Sequence, residues 1–171
     1  MSTGGARRAR SRSATETIAC AAVNAALEPY IRAILVLTTS GETARQVARF
    51  RPCVPVIAVT RDAQTARQLQ LHRGLIPLAY TRPPSATVLR LSASLLSSAP
   101  AGSPYAGAGR LSPDPLDAAA VEWQADVDAR FAHGIAEGRR RGVLAPGDCV
   151  VLIQGPRGGA GHTNTLRIVS V

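Results

Sequence analysis

Three short aliphatic runs that do not alternate with polar residues constrain this chain more than any other feature. Ile31 to Leu37, Val56 to Val59 and Leu75 to Ala79 are apolar at successive positions instead of every second one. A strand of that kind buries both faces, which is the situation of strands in a parallel sheet covered by helices. The segments between them fit the connections such a sheet needs. Thr43 to Phe50 has helical character and is punctuated by Pro52 and Pro55, while Asp62 caps a second helix through about Leu71 that Gly74 ends. Strands spaced by single short helices form right-handed crossovers, so an open α/β layer structure is expected.

The flanks extend this pattern. Ser13 to Glu28 reads as a helix, with Ser13 and Glu16 at capping-box spacing and Pro29 after the last turn. Asp117 opens another helix over Ala118 to Glu137, whose apolar positions Val121, Val127, Phe131 and Ile135 recur at helical spacing. After Gly142 and the Pro146-Gly147 turn, Cys149 to Ile153 and Thr165 to Val171 are two strands close enough to form a hairpin. The last strand is therefore expected antiparallel to its neighbour, completing an open, mixed five-stranded sheet flanked by helices. The domain is assembled from residues 13–80 and 117–171. Between them, residues 81–116 carry Pro83, Pro84, Pro100, Pro104, Pro113 and Pro115 among Ser, Gly and Ala, and read as a flexible insertion with at most a helical turn or two over Val88 to Leu96.

Charge narrows the function classes. The formal net charge of +9 is concentrated at Arg7, Arg8, Arg10 and Arg12, in a leader over residues 1–12 that reads as disordered, and at Arg139, Arg140 and Arg141 closing a helix. We read the leader as a solvated or targeting tail, which disfavours nucleic acid as the partner. Lys is absent throughout, which removes the usual amine of Schiff-base chemistry and the phosphate anchor of P-loop enzymes. Cys20, Cys53 and Cys149 are far apart and each lies in an apolar stretch, as expected of small buried hydrophobes in a reducing compartment. No apolar run approaches the ~20 residues of a membrane span. A soluble cytoplasmic protein, with no membrane partner, is the expectation.

Two loops are where chemistry is expected. Thr38-Thr39-Ser40-Gly41-Glu42-Thr43 follows the first strand and opens a helix, where hydroxyls and free backbone N–H groups attract phosphate. Thr39 and Glu42 also have capping-box spacing, so a merely well-capped helix start is the alternative. Gly155-Pro156-Arg157-Gly158-Gly159-Ala160-Gly161 joins the last two strands; its glycines exceed the needs of a turn, and Arg157 offers a planar donor. A P-loop is excluded, since the Gly-Lys-Ser/Thr ending is missing. Trp123 and Arg130 lie seven residues apart on one helix face, and a lone Trp is either core or ligand platform. His72, His133 and His162 are mutually remote without metal-ligand spacing, and no catalytic constellation or metal site is found.

Taken in order, these residues resemble the C-terminal domain of pyruvate kinase. The similarity is carried by Ala33-Ile34-Leu35-Val36-Leu37-Thr38-Thr39-Ser40-Gly41, by Ala48-Arg49-Phe50-Arg51-Pro52, and by Pro55-Val56-Ile57-Ala58-Val59-Thr60-Arg61. It continues through Thr65-Ala66-Arg67-Gln68, Arg73-Gly74 and Asp126-Val127-Asp128 to Gly161-His162-Thr163-Asn164-Thr165-Leu166-Arg167. The resemblance implies a regulatory module that binds fructose 1,6-bisphosphate. Thr38, Thr39, Ser40 and Thr43, turning at Gly41, would hold one phosphate. Trp123 and Arg130 would lie near the other, with Arg157, Gly158, Gly159, Ala160 and Gly161 folding over the sugar. It further implies that catalysis, with its Mg and K ions, belongs to a barrel domain not represented here, so these residues alone are expected to be inactive and to need no cofactor. The implied partners are a sugar-phosphate effector and either further copies of the chain or pyruvate kinase subunits, the alternative being a degenerate subunit-interaction protein. The family often has Gly-Trp-Arg-Pro-Gly-Ser-Gly in the final loop, where this chain has Pro156 for the Trp, Gly158 for the Pro and Ala160 for the Ser. Glu42 stands where a basic residue is common.

Overall fold

The computed structural model of the chain describes residues 13–83, 115–155 and 163–171. The leader, most of the insertion with its Val88 to Leu96 stretch, and the loop from Pro156 to His162 lie outside the described residues. In chain order the elements are α1 (Ala14–Ala25), β1 (Ile31–Leu37), α2 (Glu42–Arg49), β2 (Val56–Thr60), α3 (Ala63–Leu69), β3 (Leu75–Ala79), α4 (Pro115–Arg140), β4 (Cys149–Gln154) and β5 (Thr165–Ser170).

The five strands form one sheet in the order β3-β2-β1-β4-β5. The first four are parallel, and β5 returns antiparallel to β4, with Cys149 opposite Ser170 and Gln154 opposite Thr165. The expected α/β class and mixed five-stranded sheet are therefore what the chain adopts. Every residue of β2, and every residue of β1 except Arg32, is buried, as non-alternating strands at the sheet centre must be. Pro77 sits within β3, which is tolerated because β3 is an edge strand and Pro removes only a donor that no neighbour uses.

The helices divide between the two faces. Ala19 and Ala22 of α1, Ala44 and Val47 of α2 and Leu69 of α3 pack on Ile34, Val36, Val56 and Val151. Val127 and Phe131 of α4 cover the other face, against Leu35, Ile57, Val59 and Leu152. Gly134 and Gly138 bring α4 close: a Cβ on Gly134 would lie 2.9 Å from a Leu35 methyl, and one on Gly138 would lie 3.0 Å from Ile57 Cδ1.

Element ends follow capping chemistry. Ser13 Oγ accepts from Glu16 N at 3.1 Å to start α1, which stops at Ala25 instead of running to Glu28. The Asp62 carboxylate accepts from Gln64 N and Thr65 N, and the Thr65 hydroxyl holds its pKa below the ordinary value. α3 ends at Leu69, earlier than expected, because Gln70 to Arg73 form a turn whose left-handed step is Gly74 at φ +79°. α4 is longer than its apolar periodicity implied. Pro115 is compatible with a first turn, where its missing N–H has no partner to lose, and the helix closes in a Schellman motif, Val143 N bonding Gly138 O and Gly142 N bonding Arg139 O. The cysteine expectation needs correction. All three are free thiols and none is fully buried, and Cys53 is exposed because the Pro52–Pro55 connection runs outside the sheet. Its Sγ donates to Ala26 O at 3.2 Å.

Candidate functional site

Chain direction singles out one place on the sheet. From β1 the chain moves to β2 and β3 on one side, with α2 and α3 on one face, whereas β4 lies on the other side of β1 and is reached over the opposite face through α4. The carboxyl ends of β1 and β4 therefore flank a topological switch point, the position at which open α/β sheets form a ligand crevice. Register brings the two loops of interest to this point. Val36 is level with Ile153, so Thr38 and Gly155, two residues further along each strand, leave the sheet side by side.

The first loop is tied down on both sides. Thr38 N donates to Val59 O at 3.0 Å, its Oγ1 accepts from Gly41 N at 2.9 Å, and Thr65 Oγ1 donates to Thr39 O at 3.3 Å. Gly41 is the N-cap of α2 at φ +78°, buried with its Cα facing Leu69 and Thr65 so closely that a Cβ would lie 3.1 Å from each. Only Gly fits both demands. The capping box considered for Thr39 and Glu42 does not form, since Gly41 supplies no side-chain cap and the Glu42 carboxylate turns to Gln46 Nε2 at 2.8 Å and Arg45 at 3.0 Å. Those two hydrogen bonds, Gln46 first, hold Glu42 below the usual carboxylate range, so it is ionised beside the loop. The first intrahelical bond is Arg45 N to Gly41 O. The N–H groups of Glu42, Thr43 and Ala44 in the first turn thus have no partner within the helix. Thr39 and Ser40 expose their side chains beside them.

Thr43 plays a different part from that expected. Its side chain is buried, and its Oγ1 lies 2.6 Å from Thr163 Oγ1. This contact pins the residue after the glycine loop to the start of α2, while Asn164 N donates to Gln154 O at 3.3 Å at the mouth of the hairpin. Arg157, Gly158, Gly159, Ala160, Gly161 and His162 lie outside the described residues, but Gly155 and Thr163, the described residues on either side of the loop, both border the crevice.

Trp123 and Arg130 sit on the α4 side. With Gly134 packed on Leu35 and Val59, Arg130 one turn earlier is level with the strand ends. Its guanidinium stands 5.3 Å over the Trp123 ring and 3.0 Å from Asp126 Oδ2. Burial pushes its pKa below the ordinary value, with Asp126 opposing the shift; an arginine remains charged through such a shift. Asp126 also accepts from Arg61, which follows β2, donates from Nε to Arg82 O at 3.2 Å, and lies 5.3 Å over the Tyr80 ring. One carboxylate thus serves two guanidiniums, leaving a positively charged network at the carboxyl end of the sheet. Trp123 is half-buried against the α4-side core, so platform and core roles coincide in one ring. Arg61, Asp126 and Thr163 were not singled out as site residues from sequence. Asp126–Arg130 spacing was the available signal, whereas Arg61 and Thr163 reach the site through tertiary contacts. Among the described residues no cluster of metal-ligating side chains occurs, and His133 packs against Tyr80 at 5.3 Å between ring centres.

The domain family described as "Pyruvate kinase, alpha/beta domain" matches residues 16–100. Over 163 residues, 95% of this chain and 25% of the relative, the chain is 40% identical to pyruvate kinase of Agaricus bisporus. Human pyruvate kinase PKLR is 38% identical over 161 residues, 94% of this chain and 22% of the relative. Pyruvate kinase 1 of Saccharomyces cerevisiae is 35% identical over 159 residues, covering 93% and 25%. The chain carries a pyruvate kinase α/β domain. It spans about a quarter of the length of these pyruvate kinases. The similarity to each extends beyond the matched family region, into the residues of α4 and the β4–β5 hairpin. Among the described residues no helix is long and apolar enough to cross a membrane.

Proposed function

We propose that this domain is a glycolytic pyruvate kinase's regulatory module, that it acts in the cytoplasm, and that its switch-point crevice binds a sugar bisphosphate of the fructose 1,6-bisphosphate kind. The observation that carries the reading is the convergence at the carboxyl ends of β1 and β4. The first-turn amides of α2, which have no partner within the helix, and the exposed Thr39 and Ser40 meet the base of the hairpin loop, which Thr163 fastens to Thr43. One phosphate is taken by the first-turn amides of α2 and the hydroxyls of Thr39 and Ser40, and Arg130 on Trp123 provides the cation for the second, with Arg157 and its neighbouring glycines closing over the sugar. Glu42 weakens the first phosphate subsite by placing an ionised carboxylate beside it.

The domain does not itself transfer phosphate in this reading; it senses the ligand for whatever it is joined to or assembled with. Calorimetric titration of the 171-residue chain with fructose 1,6-bisphosphate tests it. Saturable binding that falls about ten-fold or more in Trp123→Leu, which removes the ring under Arg130, supports the proposal. A folded chain giving no heat at millimolar ligand refutes it.

A second reading, of a subunit-interaction protein that packs on pyruvate kinase or on its own copies, is favoured by β5. That strand is a sheet edge, and Ile168 on it is 46% exposed. Gel filtration with and without full-length pyruvate kinase separates the two: co-elution without effector binding supports the interaction reading.

A further inference from the structure

A basic concavity separate from that crevice lies on the outer side of α2. A groove of about 720 Å³ runs along this helix to the amino-terminal edge of the sheet, where it is closed by Arg51-Pro52 ahead of β2 and His72-Arg73-Gly74 ahead of β3. Four arginines line it: Arg45 and Arg49 on the helix, Arg51 just beyond it, and Arg73 across from them. The one carboxylate of the lining, Glu42, is taken by Arg45 and Gln46. Arg49, Arg51 and Arg73 have neither an ion pair nor a side-chain hydrogen bond among the described residues. Most other described arginines are neutralised: Arg32 by Asp148, Arg61 and Arg130 by Asp126, Arg140 and Arg141 by Glu137, and Arg167 by Asp128. Three unpaired guanidiniums, two at the end of α2 and one in the turn ahead of β3, repel one another in one concavity, and an anion bridging them removes that repulsion.

Arg51 adds an independent sign. It holds a left-handed backbone at φ +51°, the position after a helix end where glycine is at home and a long side chain is disfavoured. Keeping an arginine there gives up stability for a guanidinium in the groove.

We propose that this groove binds an oligophosphate. Guanidinium forks match phosphate oxygens bidentately, three of them on the two sides of one groove favour more than one phosphate group, and the volume lies within the range of small-ligand sites. Among the described residues no Trp, Tyr or Phe lines it, so stacking of successive nucleic-acid bases finds no platform there. The site stands apart from the crevice proposed above, and neither requires the other.

The test is calorimetry of the 171-residue chain at physiological ionic strength with inorganic tripolyphosphate and with ATP, repeated for Arg73→Gln, Arg51→Gly and Trp123→Leu. Arg73→Gln and Arg51→Gly are each expected to weaken both ligands about ten-fold, the loss of one charged hydrogen-bonding group. Arg51→Gly is also expected to melt no lower than the parent, which separates lost binding from lost folding, and Trp123→Leu is expected to bind both ligands unchanged. Equal affinity for the two ligands identifies the phosphate chain alone as what is recognised; tighter ATP with the same arginine dependence identifies a nucleotide. Absence of binding by either ligand, binding indifferent to Arg51 and Arg73, or binding lost in Trp123→Leu overturns the proposal. So does a single-stranded oligonucleotide that binds more tightly than tripolyphosphate.

Discussion

Substituting Gly134 by Ala tests whether α4 sits on the sheet as closely as the site requires. In an exposed helix interior, Gly to Ala stabilises by about 1 kcal/mol through backbone entropy. Here the added methyl would lie 2.9 and 3.1 Å from the two Leu35 methyls and 3.1 Å from Val59 Cγ2. Carbon atoms rest at about 3.5–4.0 Å, and both neighbours are fully buried on the two central strands, with no free space to move into. Overpacking of this kind costs about 1–3 kcal/mol, so after the propensity gain the variant should lose about 1 kcal/mol, or roughly 2–4 °C in Tm for a chain of this size. Gly138→Ala should cost a similar amount. Its methyl would lie 2.8 Å from Leu144 and 3.0 Å from Ile57 Cδ1, both buried in the same core. Urea unfolding followed by circular dichroism measures both, and Gly134→Ala placed on Leu35→Ala should be less harmful than on the parent, since the truncated neighbour makes room. A Gly134→Ala variant more stable than the parent would refute the close packing and, with it, the placement of Arg130 at the strand ends.

Glu42→Gln removes a negative charge beside the first-turn amides of α2, and phosphate binding at the crevice should tighten by about two- to five-fold, read by calorimetry at fixed salt. Asp126→Asn leaves Arg130 buried without its counter-charge; unfolding should become easier by about 2–4 kcal/mol, measured by urea midpoint at constant slope. Glu137 is held at about 2 by hydrogen bonds from Arg140 and then Arg141. Because its folded pKa is depressed, the stability it contributes is present above the ordinary value of 4.5 and is lost as pH falls toward 2. Melting curves of Glu137→Gln should therefore fall below the parent at neutral pH and converge with it near pH 2.

Most of the architecture was legible because it is written locally. The run from Ala33 to Leu37 has no polar face to present, so a doubly covered parallel strand was its natural place, and Asp62 and Ser13 announce helix starts through short-range hydrogen bonds. Ends governed by several weak choices were less legible: Leu69 to Gly74 closes through a multi-residue turn, and α4 runs on to Arg140 under a Schellman closure that apolar spacing does not register. At the site, the Thr38–Thr43 loop and the Trp123–Arg130 pair were visible as residue types in suggestive positions. Their wiring was not. Gly41 is needed partly because Leu69 and Thr65 press against it from α3, Asp126 is shared with an arginine 65 residues away, and Thr43 meets a threonine 120 residues away. Such contacts depend on topology, which the local pattern constrains only through strand order. Cys53 shows the converse: an apolar neighbourhood in sequence, Pro52 to Pro55, became a connection outside the sheet on which Cys53 is exposed.

The central claim is that an anionic sugar binds where β1 and β4 end. Amide chemical-shift mapping of the labelled 171-residue chain during titration with fructose 1,6-bisphosphate tests it most directly. The account predicts saturable shifts at Ser40 to Ala44, at Gly155 to Thr163 and at the Trp123 indole, with the amino-terminal edge of the sheet unmoved. Shifts confined to Arg49–Arg51 and His72–Gly74, or none at saturating ligand, would contradict it.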